Sequence, residues 1–146
     1  MKRDWEELTA TSYYDTVVEI KEAFGERDTE EVIKGLDALL DSLAMNYEHG
    51  LRSQLVRLMM HIIKWKIQPE KRTGSWASPI FDARDTISYI QKKKPSLNRR
   101  FIEEELWEPC FRKAIRLAED ETGKENTVDS LTWEEVFNTE YRLLRS

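Results

Sequence analysis

Four shortages narrow what this 146-residue chain can be. It has one cysteine, Cys110, so an internal disulfide is excluded, as is a zinc site built from several thiolates. Five glycines and four prolines are few for the length, which argues against turn-rich β architectures. No stretch approaches the ~20 consecutive apolar residues of a membrane span. The opening residues, Met1 to Glu7, lack the apolar run of a signal peptide. A reduced, cytoplasmic setting away from the membrane is the expectation.

Hydrophobic residues make up 40% of the chain and charged residues 35%, the balance of an ordered soluble protein. The length suits one domain, residues 1–146, with one core. The net charge of −5 is unevenly laid out. Met1 to Gly50 carries 5 basic against 13 acidic residues (−8), Leu51 to Arg116 carries 15 against 7 (+8), and Leu117 to Ser146 carries 3 against 8 (−5). Two readings stand side by side: the three parts pack together and their fields cancel, or the basic middle binds an anion. The first is preferred, because solvated helix faces commonly carry such charge.

Apolar residues recur at helical spacing along most of the chain. Tyr13, Val17, Ile20 and Phe24, widened by Tyr14 and Val18, make a first stripe that Gly25 stops. Asp28-Thr29-Glu30-Glu31 is a capping-box pattern opening a helix with Val32, Leu36, Leu39 and Leu43 on one face and Ile33 and Leu40 beside it. Gly35 inside that helix marks a close helix contact. Asn46 to Gly50 reads as a turn or as a weak spot in one long helix. Near-continuity is favoured, because Tyr47, Leu51, Leu55, Leu58, Ile62 and Trp65 keep the period across it. Pro69 closes that helix, and Lys71-Arg72-Thr73-Gly74 reads as a turn. The next helix is predicted to start between Ser75 and Pro79, to bury Ile80, Ile87 and Ile90 with help from Phe81, and to end at Lys92-Lys93-Lys94 before Pro95. Ser96 to Thr122 is helical with a break predicted at Pro109, and Gly123 terminates it. Thr132-Trp133-Glu134-Glu135 opens a short final helix.

Constellations that carry chemistry are scarce. A di-metal carboxylate bundle needs a Glu-x-x-His step, but Asn46 precedes His49 by three and Leu58 precedes His61 by three. His-Glu-x-x-His is absent, so neither metal nor cofactor is expected. Cys110 lies on an apolar stripe beside Trp107 and Phe111, as core filler rather than a nucleophile. The best candidates for chemistry are Arg57, His61, Lys64, Trp65 and Gln68, which share one side of a helix. An arginine one turn from a histidine suits acid–base work on a phosphodiester; the plainer reading, a shoulder histidine bonded to a neighbouring helix, is preferred. Lys64, Lys66, Lys71 and Arg72 with Trp65 and Trp76 also mix charge and aromatic rings as single-stranded nucleic-acid sites do, although the chain as a whole is acidic.

The stretch from Leu51 to Trp76 resembles a bacterial family, common among cyanobacteria, catalogued as domain of unknown function twenty-nine. The residues that carry the resemblance are Leu51-Arg52, Leu58, His61, Lys64-Trp65, Gln68-Pro69, Arg72 and Ser75-Trp76, with Pro95-Ser96-Leu97, Ala114 to Ala118 and Glu121-Thr122-Gly123 as later signatures and Tyr13-Tyr14-Asp15 at the front. The chain departs from the pattern at Pro79 and in its basic Lys92 to Lys94. The resemblance implies an all-helical bundle of bacterial cytoplasmic type and no particular activity.

Two readings of the signature follow. In one, Trp65 and Trp76 pack across the turn while Gln68 and Ser75 satisfy helix ends. In the other, His61, Lys64, Trp65, Gln68, Lys71, Arg72, Ser75 and Trp76 form a recognition surface with Lys71 and Arg72 at its tip. The expected fold is an all-α, single-domain antiparallel bundle of about five helices plus a short C-terminal helix. The expected function is a non-enzymatic protein-interaction module that engages a protein partner or a second copy, a homo-oligomer in which the basic middle meets an acidic surface such as the first two helices. The alternative is a nucleic-acid-associated factor or metal-independent nuclease using the basic middle.

Overall fold

Side-chain caps mark where five of the helices begin. Asp4 accepts from the Glu7 N–H at the head of α1 (Trp5–Thr11), and Ser12 from Asp15 at the head of α2 (Tyr13–Gly25). Asp28 accepts from Glu31 at the head of α3 (Thr29–Ile67). A 3₁₀ turn, Pro69–Lys71, leads to α4 (Gly74–Lys93). Asn98 caps α5 (Arg99–Phe101), which runs through a π turn at Ile102–Leu106 into α6 (Trp107–Thr122). Thr132 and Glu135 form the reciprocal capping box of α7 (Trp133–Phe137). A computed structural model describes residues 2–142, and among them the fold is an all-α bundle without a strand.

The long helix is continuous through Asn46–Gly50, where the apolar period carries across. Three other boundaries differ from expectation. The short helix α1 was not foreseen, because Trp5 and Leu8 alone display no period. Next, α4 begins at Gly74, ahead of the expected start, and holds Pro79 inside it. The N–H that Pro79 lacks would have met the carbonyl of Ser75, an exposed residue whose backbone water can satisfy. Finally, Pro109 breaks nothing. The Trp107 N–H reaches back five residues to the Ile102 carbonyl, and this widened turn spans the Glu105 carbonyl that a proline at 109 would otherwise crowd.

Packing falls into two compact units, Met1–Glu48 and His49–Ser146. In the second, the stripes read from the sequence are the core. Leu51, Leu55, Leu58, Ile62 and Trp65 of α3 are buried, as are Ile80, Ile87 and Ile90 of α4, Ile102 and Leu106 of the π turn, and Cys110, Ala114 and Ala118 of α6. The Cys110 thiol faces the Arg52 carbonyl at 3.9 Å, and burial raises its pKa, consistent with a packing role. Gly123 closes α6 with φ of 69°, a left-handed conformation suited to glycine.

The first unit is built the other way round. A Cβ on Gly35 would stand 2.7 Å from Ile20 and 2.8 Å from the ring of Trp5, so α3 meets the other two helices across a bare patch of backbone. Thr16, Ile20 and Ala23 of α2 and Glu31 of α3 are buried with Trp5. The Glu31 carboxylate is satisfied by the Arg3 backbone N–H at 2.8 Å and the Trp5 indole N–H at 3.4 Å. Arg3 itself pairs with Glu19 at 2.7 Å and Glu26 at 2.8 Å. As expected, α2 ends at Gly25, and the residue that turns the chain in the left-handed region is Arg27, two positions on, at φ 61°.

Candidate functional site

The signature residues converge on the ends of α3, α6 and α7. Lys64 pairs with Glu121 at 3.0 Å and lies 5.2 Å from the centre of the Trp76 ring. Gln68 is buried and donates to the Thr122 carbonyl at 3.5 Å, at the last residue of α6. Arg72 stacks 4.9 Å from the Trp65 ring and donates to the Trp65 carbonyl at 2.7 Å, so one guanidinium caps α3 and covers its tryptophan. Trp65 is only 7% exposed and meets Tyr141 edge-on at 6.1 Å. Lys66 pairs with Glu135 of α7. Arg84 of α4 donates to the carbonyls of Val136 at 2.8 Å and Glu135 at 3.3 Å. The Tyr141 hydroxyl donates to the Glu135 carbonyl at 2.8 Å, and burial pushes its pKa up to about 12.

This geometry is a clamp. The two indoles do not share one contact across the turn: Trp65 takes Tyr141 and Arg72, and Trp76 takes Lys64. Ser75 shares a hydroxyl contact with Thr73 at 2.8 Å. Of the candidate surface, Lys71 and Ser75 are exposed, His61, Lys64, Arg72 and Trp76 are half-buried, and Trp65 and Gln68 are buried. Among the described residues, no three His, Cys, Asp or Glu side chains cluster closely enough to hold a metal ion.

His61 has its pKa lowered, first by burial and then by the cations Lys64 and Arg57, with Glu121 opposing. The neutral imidazole is therefore the form that fits the fold. Its contribution to stability is whole above the unfolded value near 6.5 and is lost as pH falls from there through the lower folded value. The carboxylates of Glu31, Glu70 and Glu135 are held low, chiefly by Arg3, Lys124 and Lys66 respectively, and lose their contributions only below the ordinary value of 4.5. Urea midpoints should therefore fall between about pH 7 and pH 5.5 in the wild-type chain and stay level in His61→Gln. An equal fall in the variant would place the titration elsewhere.

The two helices expected from the sequence as an acidic partner surface, α2 and α3, also carry exposed apolar side chains that the sequence did not single out. Among the described residues, the large apolar side chains that stay exposed are Tyr14, Val17, Val18, Phe24, Ile33, Leu36, Leu40, Met45, Phe81 and Tyr89, and eight of these ten lie in the first unit. Phe24 is 75% exposed, Leu40 65% and Leu36 46%. Phe24 and Val32, with Gly25, Arg27 and Thr29, line an open hollow of about 580 Å³. Ile33, Leu36 and Leu40 step by three and four along α3, so they share one face. Glu30, Asp37, Asp41 and Glu48 step by seven, four and seven along its flank. The signal was present as the stripes of α2 and α3, which are equally the pattern of a buried face.

A family model described as Domain of unknown function DUF29 matches residues 5–142. No curated protein and no solved structure matches the chain.

Proposed function

The chain belongs to the DUF29 family, which carries no assigned activity, and we propose that it works as a non-enzymatic helical interaction module that docks a protein through the apolar face of α2 and α3. One observation carries the reading: among the described residues, eight of the ten exposed large apolar side chains crowd into residues 2–48, although most of the described length lies outside them. Contiguous exposed apolar surface marks an interaction site more often than it marks nothing. Covering Phe24, Ile33, Leu36 and Leu40, each between 46% and 75% exposed, would gain a part of the roughly 1.5–3 kcal/mol that full burial of such a side chain yields, before the entropy of association is met. A cytoplasmic bacterial setting suits this work. Among the described residues no helix is long and apolar enough to cross a membrane, and the lone thiol is buried and free.

The nucleic-acid alternative has less support. Lys64 and Arg72 are committed to Glu121, Trp76 and Trp65, which leaves Lys71 as the exposed cation of the turn. The test is site-specific photo-crosslinking in cells, with a benzophenone amino acid at Leu40 and, as control, at the exposed Arg112. A discrete adduct with a polypeptide from position 40 and none from position 112 is expected. No adduct at 40, or equal adducts at both, would overturn the docking face.

A further inference from the structure

From the charge layout of the two exposed apolar surfaces we infer the occupant of this face: the last turns of α4 from a second copy of the chain, presenting Tyr89, Lys92 and Lys93. The inference rests on the docking face proposed above and adds the identity of what covers it.

The receiving surface is apolar with an acidic flank. Ile33, Leu36 and Leu40 form the ridge, and Asp37 and Asp41 stand beside it, exposed and without an ion-pair partner among the described residues. The residues from Met1 to Gly50 sum to −8. Two such faces brought together would set carboxylate against carboxylate, so pairing of the face with its own copy is disfavoured. A complementary surface must be apolar with a basic flank.

The chain carries one. The stretch from Leu51 to Arg116 sums to +8, and its exposed large apolar residues are Phe81 and Tyr89, both on α4. Tyr89 is 59% exposed. Lys92 and Lys93 follow it by three and four residues, so all three share one side of the helix. The Lys93 ammonium lies 5.2 Å from the Tyr89 ring centre, which sets cation and ring beside each other, ready to meet a leucine ridge and a carboxylate at once. Asp82 lies in the first half of α4 and Asp85 one turn before Tyr89, so the last turn, with Lys92 and Lys93, is the part that fits an acidic rim. Leucine against the tyrosine ring supplies the apolar contact, and Asp37 and Asp41 against Lys92 and Lys93 set orientation and choice of partner. Each copy holds both halves of the contact, so it forms reciprocally if the pair is two-fold symmetric.

The experiment is sedimentation equilibrium on the full chain and two charge-swapped variants, Asp37→Lys/Asp41→Lys and Lys92→Glu/Lys93→Glu, alone and mixed in equal amounts. The wild-type chain should show a mass above the 17.4 kDa of one chain, with association weakening as salt rises. Each variant alone sets like charge against like and should weaken association roughly hundredfold. The equal mixture should restore it, because the lysine face of one variant meets the glutamates of the other while the native halves pair on the far side. All four positions are exposed, so circular dichroism should show both variants as helical as the wild type. A wild-type chain that stays at 17.4 kDa at every concentration, association indifferent to the swaps, or a mixture that fails to recover would each overturn the second copy as occupant. If the crosslink at Leu40 then joins a different polypeptide, the docking face itself stands and only its occupant was wrong.

Discussion

Replacing Trp65 with alanine lowers the stability of the His49–Ser146 unit by about 3–5 kcal/mol, read from urea midpoints. Three losses add in one direction. The indole is 7% exposed, so its removal opens a cavity of ring size among α3, the turn and the C-terminal segment. Tyr141 loses the ring it meets at 6.1 Å. Arg72 loses the surface on which it stacks at 4.9 Å, although its bond to the residue 65 carbonyl survives the substitution. Lys71→Ala, at the tip of the same turn, should change stability by less than about 0.5 kcal/mol, since surface changes away from packing are small. Comparable effects at the two positions would mean that the signature is not a clamp.

Gly35→Val should lower the stability of the Met1–Glu48 unit by about 2–3 kcal/mol. Two effects oppose each other here. Any residue with a side chain gains helix propensity over glycine, up to about 1 kcal/mol for alanine and less for the β-branched valine. Against this, even the first added carbon stands 2.7 Å from Ile20 and 2.8 Å from the Trp5 ring, inside any real contact distance. Trp5 cannot swing away freely, because its indole N–H is bonded to the buried Glu31 carboxylate. The clash therefore wins, and α1 should be displaced first. Protection of the α1 amides in hydrogen exchange reports this displacement. A variant as stable as the wild type, with α1 protected, would show that the contact is looser than the geometry requires.

These two positions also show what the sequence could reveal and what it could not. In the second unit the spacing of Leu51, Leu55, Leu58 and Ile62 was enough, because each helix has one apolar stripe and buries it. In the first unit, Tyr14, Val17, Phe24, Ile33, Leu36 and Leu40 form equally regular stripes, yet the buried side is that of Gly35, Thr16 and Ala23. Periodicity shows that a face is apolar and says nothing of whether it is covered. Gly35 was the exception, legible as a close contact because glycine inside a helix has few other reasons to be there. The break assigned to Pro109 rested on the rule for a regular helix, and the π turn before it escapes that rule. At the signature, Lys64, Gln68 and Arg72 suit a binding surface or a clamp equally well. Their partners decide, and those of Lys64 and Gln68, Glu121 and Thr122, lie more than fifty residues along the chain.

The most direct measurement pairs stability with contact in a single variant, Leu40→Glu, with the photo-crosslinking residue moved to Ile33. If the α2–α3 face is bare within the chain and covered by a polypeptide in the cell, the urea midpoint stays within about 0.5 kcal/mol of the wild type while the adduct at position 33 disappears. A loss of about 2 kcal/mol or more, the cost of disturbing a core leucine, together with an unchanged adduct, would contradict it.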